Sequence, residues 1–284
     1  MCRLTFYLGP TMAISSIVTE PSNSLIHQSF QSEEREEPLN GDGFGVAWYP
    51  QPPDVEPGLF RALTPAWNNS NLHSLARVTR SACILAHVRA ATQVRSVSET
   101  DCHPFVAGRF ALMHNGDLGS FPAIRRRLLA SLGDESFAVI QGHTDSEHLF
   151  ALFLDEVGGQ EADPGPEELA LALDAAMRRA LEFSRSEGTE HSYLNLAVTD
   201  GRSAVVTRFT TQPDYAGESL YLNTGRRYLC EGGVCRMSAP DPDGAAVIVS
   251  SERLSEEPGW EPVPRNHRVL IRPDRTTHLQ PIEL

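Results

Sequence analysis

The sequence predicts an α+β fold in which many strands and a few amphipathic helices form the layers of one domain. Many short runs are rich in apolar and β-branched residues and are bounded by Gly, Pro, Asn or Asp, as strands are. A smaller number of segments repeat apolar residues with the period of a helix. The 284 residues suffice to bury a sizeable core, and they contain no repeat or low-complexity tract.

Nine apolar runs are predicted to be strands. They are residues 4–8, 45–49, 83–88, 110–113, 193–198, 204–209, 219–223, 245–250 and 269–272. Asp200-Gly201 lies between two of these runs and predicts a hairpin turn, because Gly readily adopts the positive φ that such a turn requires. The region after residue 245 fits either further strands of the same sheets or a C-terminal extension, and periodicity does not choose between them.

Three segments are predicted to be helices: residues 121–132, 146–156 and 167–187. In the third, Leu169, Leu173, Met177, Ala180 and Leu181 fall on one face of a helix. Thr144 and Asp145 are predicted to cap the second helix at its N-terminus. Residues 51–58 and 161–166 are predicted to be surface loops.

The composition excludes some classes of function. A formal net charge of −13 argues against a nucleic-acid partner, because phosphate binding requires a basic surface. No run approaches the roughly 18 apolar residues of a membrane helix. The N-terminus also lacks the basic and apolar regions of a secretion signal, so the sequence predicts a cytoplasmic protein.

The five cysteines do not form the framework of a small disulfide-rich domain. Cys230 and Cys235 bracket four residues, a spacing that fits half of a metal site. No second Cys or His pair lies near them in the sequence, so no metal site is predicted. We expect scattered, reduced thiols.

Four polar stretches interrupt the pattern of strands and helices. The first is NGDGFG at residues 40–45. Three glycines in six residues suit a phosphate-binding loop, but the G-x-G-x-x-G spacing is absent and no Lys-Ser or Lys-Thr pair follows. A tight turn into the next strand is the simpler interpretation.

The second stretch is HVRAAT at residues 87–92. In an alternating strand, His87 and Arg89 project to the same face. An Arg at a strand end among small neighbours suits two parallel hydrogen bonds to a carboxylate, although a surface ion pair is the better interpretation of this residue taken alone.

The third stretch combines DCHPF at residues 101–105 with MHNG at residues 113–116, and the fourth is GHTDSE at residues 142–147. Asn115-Gly116 ordinarily predicts a hairpin turn. The same pair can instead direct an amide side chain and a backbone N–H at one point, as an oxyanion hole does. The fourth stretch is typical of a helix cap.

Cys2 fits two interpretations. It is either a small buried residue at the start of a strand or, after removal of Met1, an N-terminal nucleophile. Taken in order, Cys2, NGDGFG, HVRAAT, CHPF, MHNG and HTDSE resemble the class II glutamine amidotransferase domain of the N-terminal nucleophile hydrolases. Within that class, NSLIHQSF at residues 23–30 and the tail from Trp260 to His267 are similar to stand-alone members: the amidotransferase subunit of a glutathione-degradation complex and the ergothioneine-pathway γ-glutamyl hydrolase.

The resemblance implies a four-layer αββα sandwich of two antiparallel sheets flanked by helices. It also implies one amidotransferase domain over residues 2–284, with the motifs in residues 2–150 and the remaining strands and a C-terminal extension in residues 151–284. We expect no cofactor and no metal, and the resemblance favours catalysis for Cys2.

The resemblance also assigns roles to individual residues. Those implied in catalysis are Cys2 as the nucleophile, with Asn115 and Gly116 as the oxyanion hole. Those implied in substrate binding are Arg89 for the α-carboxylate, Asp145 for the α-ammonium group, and Thr92 and His103 as lining residues. Those expected to lie beside the nucleophile and support it are Arg3, Asn40, Asp42 and Gly43.

The implied reaction is cleavage of the γ-glutamyl amide bond of glutamine or a glutathione-like compound through a thioester on Cys2. Because the sequence leaves no room for a synthase domain, we expect hydrolysis or transfer rather than nitrogen delivery. The alternatives are a glutaminase subunit that passes ammonia to a separate synthase, and a non-catalytic interaction subunit. The implied partners are a small γ-glutamyl substrate and a peptidase or synthase subunit. The leaving group stays open.

Overall fold

The computed structural model describes residues 2–34, 39–53, 55–90, 98–188, 191–231, 234–239 and 245–284. The strands within these ranges are β1 (Arg3–Ala13), β2 (Phe44–Trp48), β3 (Gly58–Ala62), β4 (Arg80–Val88), β5 (Phe105–Ala107), β6 (Phe110–Asp117), β7 (Tyr193–Thr199), β8 (Ala204–Arg208), β9 (Tyr221–Gly225), β10 (Tyr228–Glu231), β11 (Val234–Met237), β12 (Ala246–Ser250), β13 (Trp260–Pro262), β14 (His267–Ile271) and β15 (Thr277–Pro281).

The helices in the same ranges are also numbered in the order of the chain. They are α1 (Ser15–Val18), α2 (Leu25–Phe30), α3 (Ser70–Val78), α4 (Phe121–Ala130), α5 (Asp134–Ala138), α6 (Asp145–Val157) and α7 (Pro166–Glu187), with short 3₁₀ turns at Ala66–Asn68 and Glu99–Asp101.

The described strands form two large antiparallel sheets and one hairpin. The first sheet has the order β13-β9-β12-β1-β4-β2-β3, and the second has the order β15-β14-β8-β7-β6-β5. The hairpin consists of β10 and β11. In the first sheet, β1 therefore lies between β4, which follows it by some 70 residues, and β12, which comes from the C-terminal region.

Three apolar clusters separate four layers. One lies between the two sheets and takes alternate side chains from each, for example Leu4, Phe6 and Leu8 of β1. A second packs α4, α6 and α7 against the outer face of the second sheet. The third packs α1 to α3 and the β10–β11 hairpin against the outer face of the first sheet. This arrangement confirms the predicted αββα sandwich.

The three predicted helices are present with ends shifted by no more than two residues. Thr144 caps α6, because its side chain accepts a hydrogen bond from the Glu147 N–H at 3.2 Å. Asp200-Gly201 forms the predicted turn between β7 and β8, with Gly201 at φ +86°. The region after residue 245 consists largely of strands that join both sheets, which resolves the alternative left open above.

Asn115-Gly116 does not form a hairpin turn. Strand β6 continues through both residues to Asp117, and it is paired with β7 from Ala111 to Asp117. The partner strand lies about 80 residues further along the chain. Pairing with this distant strand therefore outweighs the local preference of Asn-Gly for a turn.

The expectation of reduced thiols is wrong for two of the five cysteines. Cys230 and Cys235 form a disulfide, with their Cα atoms 4.0 Å apart. The register of β10 and β11 places the two residues directly opposite each other. Their spacing therefore reflects a hairpin pair rather than half of a metal site, and only Cys2, Cys83 and Cys102 are free thiols.

Candidate active site

Three neighbouring strand ends meet where Cys2 lies. Arg3 pairs with Val88 across β1 and β4, and Val88 pairs with Phe44 across β4 and β2. Cys2 consequently lies beside the residues that follow β4, and its Sγ is 3.6 Å from the Ala90 carbonyl oxygen. The exposed fraction of Cys2 is intermediate, whereas Cys83 and Cys102 are fully buried.

Side-chain alternation directs Cys2 into the space between the sheets. Leu4 and Phe6 lie in the inter-sheet core, so Cys2 points to the same side of β1. On β4, Leu85 lies in that core, and His87 and Arg89 continue the same face. The His87 Nε2 lies 3.1 Å from the His114 carbonyl oxygen on the second sheet, so the two sheets are in contact here.

Two asparagines of the second sheet face the same space. Met113 on β6 and Ala197 on β7 both lie in the inter-sheet core. Two residues further along each strand toward this end, Asn115 and Asn195 point the same way and are paired directly across the two strands. The end of the inter-sheet layer therefore carries a thiol from one sheet and two amides from the other.

Asn115 has an unusual environment for a buried amide. Its exposed fraction is 0%, yet neither its Oδ1 nor its Nδ2 has a hydrogen-bond partner among the described residues. A buried polar group without a partner costs about 1–3 kcal/mol, so such groups are rare unless a ligand supplies the missing bond. The Asn115 amide has the properties expected of a preorganised donor.

Arg89 lies next to the glycine-rich loop. Its backbone N–H donates to the Gly43 carbonyl at 2.9 Å, and the Asp42 N–H donates to the Arg89 carbonyl at 3.0 Å. The Arg89 side chain is 8% exposed. Asn40 is fully buried and ties the start of the loop to α2 through a bond from its Nδ2 to the Gln28 carbonyl at 3.0 Å.

Gly43 is required by its surroundings. Its φ is +116°, and a Cβ at this position would lie 2.7 Å from the Cys102 Sγ and 2.9 Å from the Ala62 carbonyl oxygen. Any larger residue would push the loop away from Arg89. The tight-turn interpretation of NGDGFG thus holds, and the loop also shapes one wall beside Cys2.

Asp145 is held at the first turn of α6 by hydrogen bonds to its carboxylate. The Leu118 N–H donates to Oδ2 at 2.8 Å, and the Ser146 N–H donates to Oδ1 at 2.7 Å. Ser146 also bonds to the His114 Nδ1 at 2.9 Å, which links this helix to β6 next to Asn115. The side chain of Asp145 remains 15% exposed, so it can still meet a ligand.

Arg3 supports the backbone of Cys2 from the other face of the sheet. Its guanidinium is 0% exposed and donates to the Cys2 carbonyl at 3.2 Å. It forms an ion pair with Glu252 at 2.8 Å and lies 3.6 Å from a carboxylate oxygen of Glu218. Burial opposes ionisation of Glu252, but a hydrogen bond from Ser32 and the charge of Arg3 outweigh it and lower the pKa of that carboxyl.

His103 lies against His87 with their ring centroids 4.1 Å apart, and it is 3% exposed. Both ring nitrogens of His103 lack a hydrogen-bond partner among the described residues. Burial lowers the pKa of His87 to about 3 and holds the pKa of His103 well below its usual value. Both rings are therefore neutral at pH 7. Thr92, the remaining residue implied by the resemblance, lies outside the described residues.

Comparisons with known proteins identify the family of this chain. A sequence model of the class II glutamine amidotransferases matches residues 11–220. The chain is 40% identical to a probable glutamine amidotransferase, DUG3, of Saccharomyces cerevisiae over 99% of this chain and 84% of the relative. The chain belongs to the class II glutamine amidotransferases. It is an enzyme of the type that acts on a C–N amide bond.

Further relatives of this amidotransferase include proteins of similar length and one of about twice its length. A γ-glutamyl-hercynylcysteine sulfoxide hydrolase of Mycobacterium tuberculosis is 27% identical over 95% of this chain and 93% of its own. The chain is also similar to the structure of a glutamine aminotransferase class-II domain protein from Silicibacter pomeroyi. The two align over 100% of each chain, with a TM-score of 0.68 and 28% identity. A glutamine phosphoribosylpyrophosphate amidotransferase of B. subtilis shares the fold, with a TM-score of 0.60 and 13% identity over 50% of that chain.

Sequence reasoning missed three residues that contact the candidate site: Asn195, Glu218 and Glu252. Asn195 had a detectable signal, because it is the one polar residue at a core-facing position of the run LNLAV. Glu218 and Glu252 follow no comparable pattern. They reach Arg3 only because β9 and β12 pair beside β1.

Within the described residues, no group of three His, Cys, Asp or Glu side chains is arranged to hold a metal ion. In the same ranges, no helix is both long and apolar enough to cross a membrane.

The neutral histidines make stability depend on pH. Their folded pKa values lie below the roughly 6.5 of an unfolded His, so below that pH the unfolded chain binds protons that the folded chain does not. The free energy of unfolding should fall as the pH decreases from about 6.5 toward 4. Replacement of His103 by Gln should reduce this slope by about 1.4 kcal/mol per pH unit, measured by urea denaturation. Equal slopes for the two proteins would contradict the neutral state of His103.

Proposed function

We propose that this amidotransferase cleaves γ-glutamyl amides with Cys2 as its nucleophile, after removal of Met1. The observation that carries the proposal is the convergence of Cys2, Arg89 and the unpartnered Asn115 amide at one end of the inter-sheet layer. The names of the relatives also support a γ-glutamyl donor, glutathione-like compounds included.

The α-amine of Cys2 is the proposed base. An ordinary α-amine has a pKa of about 7.7–8.0, close to working pH, and on an N-terminal residue it is always within reach of its own side chain. The amine takes the thiol proton as Sγ attacks the γ-carbonyl carbon. The tetrahedral intermediate then collapses, the C–N bond breaks, and the same proton passes to the leaving amine. This leaves a γ-glutamyl thioester on Cys2.

Water completes the proposed cycle. The α-amine accepts a proton from water as the oxygen attacks the thioester, the C–S bond breaks, and the thiol recovers a proton as glutamate leaves. The charge on the carbonyl oxygen forms twice, once in each half-reaction. Donation from the Asn115 Nδ2 and the Gly116 N–H would stabilise it both times, with no cost of reorganising solvent. The two neutral histidines are not needed as bases.

Arg89 and Asp145 are proposed to hold the two ends of the glutamyl zwitterion. Arg89 would bind the α-carboxylate with two parallel hydrogen bonds, since it follows β4 directly and precedes Ala90, whose carbonyl oxygen is 3.6 Å from the Cys2 Sγ. Asp145 would bind the α-ammonium group, and its carboxylate is already oriented by Leu118 and Ser146. Because His87 and His103 are neutral, they add no second cation that would compete with Arg89 for the carboxylate. Fixing both ends places the γ-carbonyl against Cys2.

Release of free glutamate tests the proposal. The purified protein should release glutamate from glutathione or another γ-glutamyl amine, and the mass of the active protein should lack Met1. Release from glutamine alone would favour ammonia production for a synthase partner. Retention of Met1 on fully active protein would exclude the α-amine as the base.

A further inference from the structure

Asn195 carries a buried polar atom without a partner at the same end of the inter-sheet layer as Cys2. Its side chain is 1% exposed, and its Oδ1 accepts no hydrogen bond from the described residues. Its Nδ2 donates to the carbonyls of Glu218 at 3.2 Å and Ser219 at 3.4 Å. Buried polar atoms without a partner are rare in folded proteins, so this acceptor points to a donor outside these contacts.

The two carbonyls fix the orientation of the Asn195 amide. A carbonyl oxygen only accepts hydrogen bonds, so the reversed amide would place Oδ1 against two acceptors. The atom without a partner is therefore the oxygen, and Asn195 offers the site an acceptor. Asn115 differs, because its Nδ2 has no partner within the described ranges and can serve as an oxyanion donor.

The segment that anchors this amide, residues 218–219, lies beside the start of β1. The Ser219 hydroxyl donates to the Ser251 carbonyl at 2.8 Å. The Ser251 hydroxyl accepts from the Leu4 N–H at 3.0 Å, and the Ser251 N–H donates to the Leu4 carbonyl at 2.9 Å. Asn195 is thus connected through two residues to the strand that begins next to Cys2.

The backbone nitrogen of Cys2 points to the same flank. Both backbone groups of Leu4 bond to Ser251, on the β12 side of β1. Backbone groups of residues two apart on a strand point the same way, so the Cys2 nitrogen also points to the β12 side. The Cys2 carbonyl agrees with this direction, because it accepts from Arg3, whose guanidinium lies 3.6 Å from the Glu218 carboxylate.

We propose that the Asn195 Oδ1 accepts a hydrogen bond from the α-amine of Cys2 and holds this amine in place as the base. The proposal rests on the proposed function. The two side chains face the inter-sheet space from opposite sheets, and the Cys2 nitrogen points to the flank where Asn195 is anchored. Removal of Met1 turns one backbone N–H into an amine with two or three N–H bonds, so the amine gains donors that the strand amide does not have.

This hydrogen bond would act during proton transfer. An N-terminal amine rotates about its bond to Cα, so an acceptor on one side keeps the lone pair directed at Sγ. The amine becomes an ammonium ion as it takes the thiol proton, and a hydrogen bond to the charged form stabilises that form. The same hydrogen bond therefore raises the pKa of the amine, and its loss should lower that pKa.

Two substitutions of Asn195 should shift the acid limb of the pH profile of kcat/KM in opposite directions. The substrate is a γ-glutamyl amide that the unmodified protein cleaves. Asn195→Ala removes the acceptor, so the limb should move to lower pH by about 0.5 unit or more and kcat should fall by about tenfold or more. Asn195→Asp places a carboxylate beside the amine, so the limb should move to higher pH by about one unit. A purely structural role would lower activity without these opposite shifts.

The matched control is Ser219→Ala, which alters the anchoring segment and leaves the acceptor in place. It removes the hydrogen bond from the Ser219 hydroxyl to Ser251, and its acid limb should stay within about 0.2 unit of that of the unmodified protein. The charged side chains around Cys2 are the same in all three variants, so a shift is due to position 195. They are Arg3, Asp42, Arg89, Asp145, Glu218 and Glu252.

A titration without substrate separates this inference from the proposed function. In protein labelled with [¹⁵N]cysteine, the ¹⁵N shift of the Cys2 α-nitrogen follows the ionisation of the amine. The pKa of the amine should be lower in N195A and higher in N195D, and either folded variant suffices. An unchanged pKa would overturn the contact even if the protein cleaves γ-glutamyl amides. The expected shifts in a protein that releases no glutamate would support the contact and refute the proposed function.

Discussion

Replacement of Cys2 by Ala should lower the release of glutamate by about 10⁴-fold or more, because no other group in the site can form the thioester. Only one of the three free thiols is positioned for this role. Cys83 lies in the inter-sheet core, and Cys102 lies under Gly43 with its pKa raised to about 11 by burial. Neither can present a thiolate to a substrate at neutral pH.

The matched control for this variant is Cys102→Ala, which removes a nearby thiol from a buried position. Its activity should stay within about fivefold of the unmodified protein. Iodoacetamide offers an independent measurement, since the exposure of the three thiols predicts that only Cys2 is alkylated in the folded protein. Loss of activity in C102A but not in C2A would show that Cys102, and not Cys2, is the nucleophile.

Replacement of Asn115 by Ala should lower kcat by about 10²–10³-fold with little change in KM, as expected for the loss of one oxyanion donor. The donor acts on charge that exists only in the transition state, so substrate binding should be largely unaffected. Because the Asn115 amide has no partner among the described residues, its removal leaves no buried group newly unsatisfied. The variant should therefore fold with nearly unchanged stability.

Asn223 supplies a matched control for this variant. It is also a buried strand asparagine, 1% exposed, whose amide atoms have no hydrogen-bond partner among the described residues. It follows Leu222 of the inter-sheet core, so it faces the helical layer instead of the site. Asn223→Ala should keep kcat within about threefold. An equal loss of kcat in both variants would indicate that Asn115 acts through stability alone.

Local patterns sufficed to predict the long elements of this fold. The period of Leu169, Leu173 and Met177 identified α7, and the apolar run before His87 identified β4. The short helices α1, α2, α3 and α5 were missed, since four to nine residues give too few turns for a periodic signal. The prediction of reduced thiols is wrong for Cys230 and Cys235, because their spacing alone does not reveal that a hairpin pairs them directly.

Some residues of the candidate site can be nominated from the sequence, and others are visible only in the folded structure. Cys2, Arg89, Asn115 and Asp145 lie in ordered motifs, so resemblance to a family is enough to nominate them, and their roles stay predictions. The Asn115-Gly116 dipeptide alone favoured a turn, and only pairing with β7 makes it a strand that directs the amide inward. Residues such as Asn195 and Glu252 act through tertiary contacts, and a single sequence carries little information about those contacts.

The position of β1 has a consequence for the order in which the enzyme matures. Leu4 bonds to Ser251, and Arg3 is neutralised by Glu252, across a separation of almost 250 residues. The motifs that hold the proposed site residues are synthesised before residue 150, yet the strand that pairs with β1 beside the proposed nucleophile emerges near the end of translation. A ribosome-bound chain that stops short of β12 therefore holds Cys2 on a strand that lacks one of its two neighbours, and, if Cys2 is the nucleophile proposed above, we expect activity to begin only after this long-range pairing forms.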